Sequence, residues 1–260
     1  MTFHKFTAKL SHLIFRFLKG LINFLDAAFS GFWLGVMSRK SFDFSDELYY
    51  NRNKNYTDDK YNLSGLFNWE KAMIEKHFSS ARTILLIAAG GGREVLALSR
   101  MGLEVDSYEC NAGLVEYGNA FLEKNKNESR IKYLPRNAVP VEIKKYDGII
   151  IGWGAYSHIQ GNRNRLSFLE RLYPFMHKES RLMISFLWVH KRTGRDKIVK
   201  NVSNFFRMFT KKDKTEPGDK LEPGFIHYFI EDEIKGELTR AKYNVLDYYA
   251  SEYGCLIAGI

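Results

Sequence analysis

Thr83-Ile84-Leu85-Leu86-Ile87-Ala88-Ala89-Gly90-Gly91-Gly92-Arg93-Glu94 is the stretch that decides the fold. It opens with an apolar run of the length of a buried strand, turns on three glycines, and passes into helical spacing over Arg93–Met101. The same alternation continues downstream. Strands are expected at Glu104–Glu109, Ile131–Leu134, Tyr146–Gly152 and Arg181–Trp188, with helices at Ala112–Lys124, around Arg165–His177 and at Glu231–Lys242. Strands separated by helix-length segments need crossovers, hence parallel pairing with both faces covered. Tyr243–Ser251 and Gly254–Ile260 are joined by too short a link for a crossover and predict an antiparallel edge. The expectation is an α/β protein with a mostly parallel seven-stranded sheet.

Glycines between a buried strand and a helix let a ligand approach the backbone at the helix N-terminus. In an open parallel sheet that ligand lies beyond the carboxyl ends of the strands. Glu109 ends the second strand about twenty residues after the glycines, where a carboxylate can accept bonds from ribose hydroxyls. A dinucleotide fingerprint needs a third glycine three residues after its second; here Val95 follows Gly90 and Gly92. No Gly-Lys-Ser/Thr is present for a nucleoside triphosphate. The pattern therefore points to a nucleoside ligand other than NAD.

On Leu85–Glu94, on Glu109, and on Tyr146-Asp147-Gly148-Ile149-Ile150-Ile151-Gly152-Trp153, the sequence resembles the class I S-adenosylmethionine-dependent methyltransferase family, over roughly residues 65–260. The resemblance implies a Rossmann-like sheet closed by a reversed hairpin, and S-adenosylmethionine as cofactor. It places Gly90 and Gly92 against the methionine part, Glu109 on the ribose, and Asn137-Ala138 near the adenine, with Ala88, Cys110 and Trp153 in the same pocket. Two positions depart from the family pattern: its first-strand acid falls on Leu86, and its first glycine on Ala88.

In that family the end of the fourth strand faces cofactor and acceptor. Here it reads Gly152-Trp153-Gly154-Ala155-Tyr156-Ser157-His158-Ile159-Gln160. Methyl transfer from a sulfonium is in-line displacement, so a base is needed only if the acceptor must lose a proton. His158 is the candidate base, Tyr156 a candidate hydrogen-bond donor, and Trp153 a pocket wall. The segment lacks the Asn-Pro-Pro-Tyr type of motif associated with amide or exocyclic nitrogen acceptors.

The whole chain has 260 residues, 45% apolar and 27% charged, which excludes wholesale disorder. Cys110 and Cys255 are too few for a disulfide scaffold or a cysteine zinc site; they fit a reducing cytoplasm, and no metal is expected. The net charge of +9 is concentrated in two places. Residues 1–40 hold six basic residues against Asp26, and residues 190–224 hold ten against five acids. That second stretch is a long insertion after the fifth strand, with an amphipathic piece at Ile198–Phe209 and a basic tail from Lys211 to Gly218. Local basic patches on a neutral body suit an anionic or lipid-linked acceptor.

Residues 10–36 repeat Leu, Ile and Phe at helical spacing, with Arg16, Lys19 and Asp26 interrupting any spanning run. They predict an amphipathic helix that caps the body, forms a homodimer, or lies peripherally on a membrane. Residues 41–70, rich in Tyr, Asn and Asp, are expected to be a loop or lid, followed by a helix over Trp69–His77. The expected division is 1–40, a lid with its following helix over 41–80, and the cofactor-binding domain over 81–260. The leading expectation is a methyltransferase for a small or membrane-associated acceptor. A catalytically inactive, partner-binding version of the fold and an RNA methyltransferase are the alternatives; with no recognisable RNA-binding module, nucleic acid is the less favoured partner.

Overall fold

The computed structural model describes residues 3–210 and 212–260; Lys211 of the basic tail and positions 1–2 of the N-terminal segment lie outside the described residues. The strands are β1 (Thr83–Ile87), β2 (Glu104–Glu109), β3 (Ile131–Tyr133), β4 (Tyr146–Ile151), β5 (Met176–Phe186), β6 (Asp219–Leu221), β7 (Phe225–His227), β8 (Asn244–Ala250) and β9 (Gly254–Gly259). Seven of them form one sheet in the order β3-β2-β1-β4-β5-β9-β8, while β6 and β7 pair as a separate hairpin. Pairing is parallel from β3 to β5 and antiparallel at β5–β9 and β9–β8. The helices are α1 (Phe3–Val36), α2 (Arg39–Arg52), α3 (Asp59–Leu63), α4 (Asn68–His77), α5 (Arg93–Arg100), α6 (Ala112–Lys124), α7 (Asn162–Leu172), α8 (Gly194–Arg207) and α9 (Glu231–Arg240).

Alternate side chains of the central strands point to opposite faces, and both faces are covered. Leu85, Ile149, Ile151, Leu182 and Ile184 pack with Phe168 of α7 and Leu238 of α9. Ile84, Leu86, Ile150 and Met183 pack with Ile74 of α4 and Val95 of α5. The expected mostly parallel sheet with an antiparallel edge is therefore present, with helices on both sides.

Three expectations are corrected. Residues 41–63 are largely helical, because the polar residues that suggest a loop are N-caps. Ser38 accepts from the Ser41 N–H to start α2, Asn53 from Asn55 to start a 3₁₀ turn over Lys54–Thr57, and Asp58 from Lys60 to start α3. The helix expected around Arg165–His177 starts earlier, at Asn162, and stops at Leu172, because Pro174 follows in a short 3₁₀ turn. The fifth strand then begins at Met176, upstream of Arg181, and ends at Phe186.

The base of α1 docks onto α8 through Ala27, Gly31 and Gly35, which recur every four residues on one face. A Cβ at Gly31 would lie 2.8 Å from the Val199 carbonyl oxygen, and one at Gly35 2.9 Å from that of Ser203, so the backbones are close. The Arg207 guanidinium donates to the Leu34 carbonyl through both Nε and Nη2. From Phe3 to Asp26 every residue of α1 is exposed.

Candidate active site

A cleft of about 1020 Å³, its open mouth included, lies at the carboxyl ends of β1, β2 and β4, where a parallel sheet binds ligands. Ala88–Gly91 form its floor. Glu109 and Cys110 rise from the end of β2, Leu134–Ala138 from the loop after β3, and Trp153, Ala155 and His158 from the segment after β4. Tyr50, Tyr56, Tyr61 and Asn62 form the roof.

The floor is shaped by left-handed backbone. Gly90 and Gly92 have φ of +54° and +98°, and Ala88, at +65°, adopts the same region without being glycine. A Cβ at Gly90 would meet nothing within 4 Å, so the loop faces open space, whereas at Gly91 it would collide with the Tyr56 carbonyl. Asn137, at φ +60°, turns the opposite wall in a conformation that asparagine tolerates.

The Glu109 carboxylate ties these pieces together. Its Oε2 accepts the Gly90 N–H at 2.9 Å, and its Oε1 accepts those of Cys110 and Asn111 at 2.8 Å each. A carboxylate has about four acceptor positions, so one remains on Oε2 for a ligand hydroxyl. Next to it, burial and the Glu109 charge push the Cys110 thiol up to about 12; it is an apolar wall and no nucleophile.

On the acceptor side, His158 Nδ1 lies 3.1 Å from the Phe225 carbonyl oxygen and Nε2 lies 3.4 Å from the Tyr50 hydroxyl. A carbonyl only accepts, so Nδ1 carries the hydrogen and Nε2 keeps its lone pair. Burial, then the Arg136 charge, lower the imidazole to about 4, against the Phe225 bond. Beside it, Asp46 of α2 pairs with Arg136 Nη1 at 2.8 Å. Burial nevertheless raises Asp46 to about 6.

Ala88, Gly90, Glu109, Cys110, Asn137, Ala138, Trp153 and His158 thus line one cleft. Gly92 and Tyr156 do not. Gly92 caps α5 and turns toward Phe121 and Ile131. Tyr156 is fully buried on the other side of its own short turn, stacked on Phe229 and donating to Glu237 Oε2 at 2.8 Å. Burial and the Glu237 charge hold its phenol well above the ordinary range, so its place as a hydrogen-bond donor to a ligand is corrected to a structural one.

Sequence reasoning missed the roof tyrosines as site residues, and also Asn62, Glu94 and Arg136. The clue was the spacing of Tyr50, Tyr56 and Tyr61, whose rings follow one another edge to face at 5.1 and 6.0 Å.

The cleft's residues fit an adenosine compound with an amino-acid tail. The wall at Cys110, Leu134, Pro135 and Ala138 is largely apolar, Glu109 keeps an open acceptor, and Gly90 leaves space above the loop. Among the described residues two buried side-chain polar atoms lack protein partners, the acceptor Asn62 Oδ1 and the donor Trp153 Nε1, and both residues line the cleft.

No family model and no curated protein matches the sequence. Solved structures do resemble the fold. A Methanosarcina mazei S-adenosylmethionine-dependent methyltransferase superposes with a TM-score of 0.57 at 14% identity, over 75% of this chain and 98% of that one. The 1,6-didemethyltoxoflavin N1-methyltransferase of Burkholderia thailandensis, solved with its substrate and S-adenosylhomocysteine, gives 0.56 at 16%, over 84% and 85%. A Clostridium acetobutylicum S-adenosylmethionine-dependent methyltransferase gives 0.53 at 9%, over 84% and 96%. With the sheet order and the closing antiparallel strands, these likenesses establish that the chain has the fold of the S-adenosylmethionine-dependent methyltransferases.

Proposed function

We propose that this protein is an S-adenosylmethionine-dependent methyltransferase acting on a small or membrane-associated acceptor. The observation that carries the reading is the Glu109 carboxylate, buried yet open to the cleft and fixed directly over the glycine loop by Gly90. When bound, S-adenosylmethionine supplies an electrophilic methyl group on a sulfonium centre. The chain's own task is alignment and exclusion of water. Glu109 takes a ribose hydroxyl on its open acceptor position. The tyrosine roof covers the loop, with the Tyr56 backbone and Asn62 seated on Gly91. His158, with Nδ1–H committed to Phe225 and its basicity lowered by burial and Arg136, offers Nε2 as a hydrogen-bond acceptor on the acceptor side and not as a store for a proton.

Replacing Glu109 with Ala is expected to weaken S-adenosylhomocysteine binding by about 1–3 kcal/mol in calorimetric titration, the value of charge-assisted hydrogen bonds. Unchanged affinity would remove the cofactor reading, and absence of saturable binding to the wild type would favour an inactive, partner-binding role.

A lipid surface as the acceptor's source is supported by α1. At about 100° per residue, Lys5, Lys9, His12, Arg16 and Lys19 fall on one side. Phe3, Phe6, Leu10, Leu13, Ile14, Phe17, Leu21 and Leu25 fall on the other, all exposed. That is the pattern of a helix lying in the membrane plane. Among the described residues no single helix is long and apolar enough to cross a membrane; α1 and α2 pass only as a pair bent by 116°. α2 is committed to the body, with Phe42 in the core shared by Leu34 and Phe225, and Phe225 holds His158. The base of the exposed helix is thus packed into the wall of the acceptor side. Removing residues 1–26, which leaves the docked base, is expected to abolish sedimentation with vesicles of phosphatidylcholine and phosphatidylglycerol. Persistent binding, or a change of oligomeric state instead, would overturn the membrane reading.

A further inference from the structure

Two buried carboxyl groups meet a single guanidinium at the start of α5, and one of them lines the cleft. At the start of α5, Arg93 lies over the Phe67 ring at 4.1 Å and grips Glu70 of α4 through both terminal nitrogens, at 2.7 and 2.8 Å. Its Nη2 also lies 3.1 Å from Glu94 Oε1. Two carboxylates therefore share one guanidinium, and all three residues are more than nine-tenths buried. Glu70 is fully engaged, since it also accepts the Phe67 N–H. Glu94, by contrast, lines the cleft.

The groups that face Glu94 are Arg93 from its own helix, Glu70 from α4, the phenols of Tyr56 and Tyr61 from the roof, and the Trp153 backbone N–H, which donates to it. Only Arg93 is cationic. Burial raises Glu94 to about 8, with Glu70 adding to the effect and Arg93 opposing it. Leu86, on β1 beneath, is fully buried and brings no charge. Across the same cleft Asn62 is 1% exposed, its amide nitrogen donates to the Tyr56 and Asp58 carbonyls, and its Oδ1 is left without a donor. A carboxyl that shares its one cation with Glu70 and an orphaned carbonyl oxygen line one cleft, and both are satisfied by a ligand that donates several hydrogens and carries a positive charge. A primary ammonium does both.

Resting on the cofactor reading above, we propose that Glu94 is the counter-charge that receives the α-ammonium of the cofactor's methionine part, with Asn62 Oδ1 as its second acceptor. The ammonium favours the ionised carboxylate, so binding drives the Glu94 proton off into solvent.

The test uses the full chain at pH 7, with titration calorimetry in phosphate and in Tris, whose different ionisation enthalpies report protons exchanged. Wild-type protein is expected to release close to one proton on binding S-adenosylhomocysteine, and none on binding the analogue without the amino group or 5′-methylthioadenosine. Glu94→Gln is expected to lose about 10- to 100-fold in affinity for S-adenosylhomocysteine and to bind the two amino-free compounds as the wild type does. The wild-type proton count keeps the test open should that variant not fold. Proton-free binding of S-adenosylhomocysteine, with amino-free compounds binding equally well, overturns the assignment of Glu94 and leaves the adenosine site standing. Failure of all three compounds to bind the wild type overturns the cofactor reading itself.

Discussion

Two buried polar clusters lie at either side of the segment after β4, and they are built from the same residue types to opposite ends. Around Arg165, every group has a partner. Its guanidinium donates to Glu237 and Glu216, Tyr156 and Asn162 complete Glu237, and His227 sits between Asp219 and Glu233. Glu216, Asp219 and His227 come close enough to suggest a metal site, yet their ligating atoms are already spent on Asn162, Arg165 and one another. The cleft around Glu109, by contrast, leaves valences open on Glu109, Asn62 and Trp153, and makes Glu94 share its arginine with Glu70. A closed network fixes how β7, α7 and α9 meet; an open one is completed by a ligand.

The largest expected effect lies in the closed cluster. Arg165→Ala leaves Glu237, which is fully buried, without its cation, and should destabilise the protein by about 3–5 kcal/mol in denaturant unfolding. Affinity for S-adenosylhomocysteine, measured well below the melting temperature, should stay near wild type. A loss of affinity matching the loss of stability would erase the distinction between the clusters.

The two histidines sharpen it. Burial pulls His227 down, but Asp219 and Glu233 outweigh it and hold the ring above the ordinary range. His158 is pushed down to about 4 by burial and by Arg136. The signs follow from linkage. His227 contributes stability that is present below its unfolded value near 6.5 and is lost as the pH rises through its folded value. His158 costs about 3 kcal/mol as the pH falls from 6.5 to 4, because the unfolded chain takes up a proton that the fold refuses. Asp46, raised to about 6, returns a similar amount over pH 6 to 3.8, so acid unfolding alone would show little. Imidazole nitrogen shifts in NMR are the direct check. At pH 6 His227 should be charged and His158 neutral; a His158 that titrates near 6.5 would refute the buried, carbonyl-bound geometry.

The sheet was legible because its signal is local: Ile84–Ile87 and Ile149–Ile151 are apolar runs of strand length, and Glu109 follows the glycines at a spacing set by one crossover. The site was legible only where it rests on that sheet. Glu94 and Arg93 read as an ordinary first turn of a helix, since nothing in their own sequence shows that Glu70 has already claimed the arginine. Residues 41–63 read as a loop in sequence yet fold as helices, because capping residues and loop residues are the same types. The docking of α1 depends on Ala27, Gly31 and Gly35 meeting α8 some 170 residues away, a pairing that a stripe of small residues does not announce.

The smallest expected effect is at Ala88, where the open cluster carries strain in its floor. Its φ of +65° costs a residue with a Cβ about 1–2 kcal/mol relative to glycine. Part of that gain is lost in the unfolded chain, where glycine has more freedom. Ala88→Gly should therefore raise stability by no more than about 1 kcal/mol. A Cβ at Gly152 would collide with the Ala88 carbonyl oxygen, so β4 holds this turn from the far side. That contact does not involve the Ala88 side chain, and the turn should keep its shape in the variant. Cofactor affinity is then expected to change little. If Ala88→Gly instead lowers stability while tightening S-adenosylhomocysteine binding, the methyl group holds the loop away from its bound form, and the strain belongs to ligand entry, not to the resting fold.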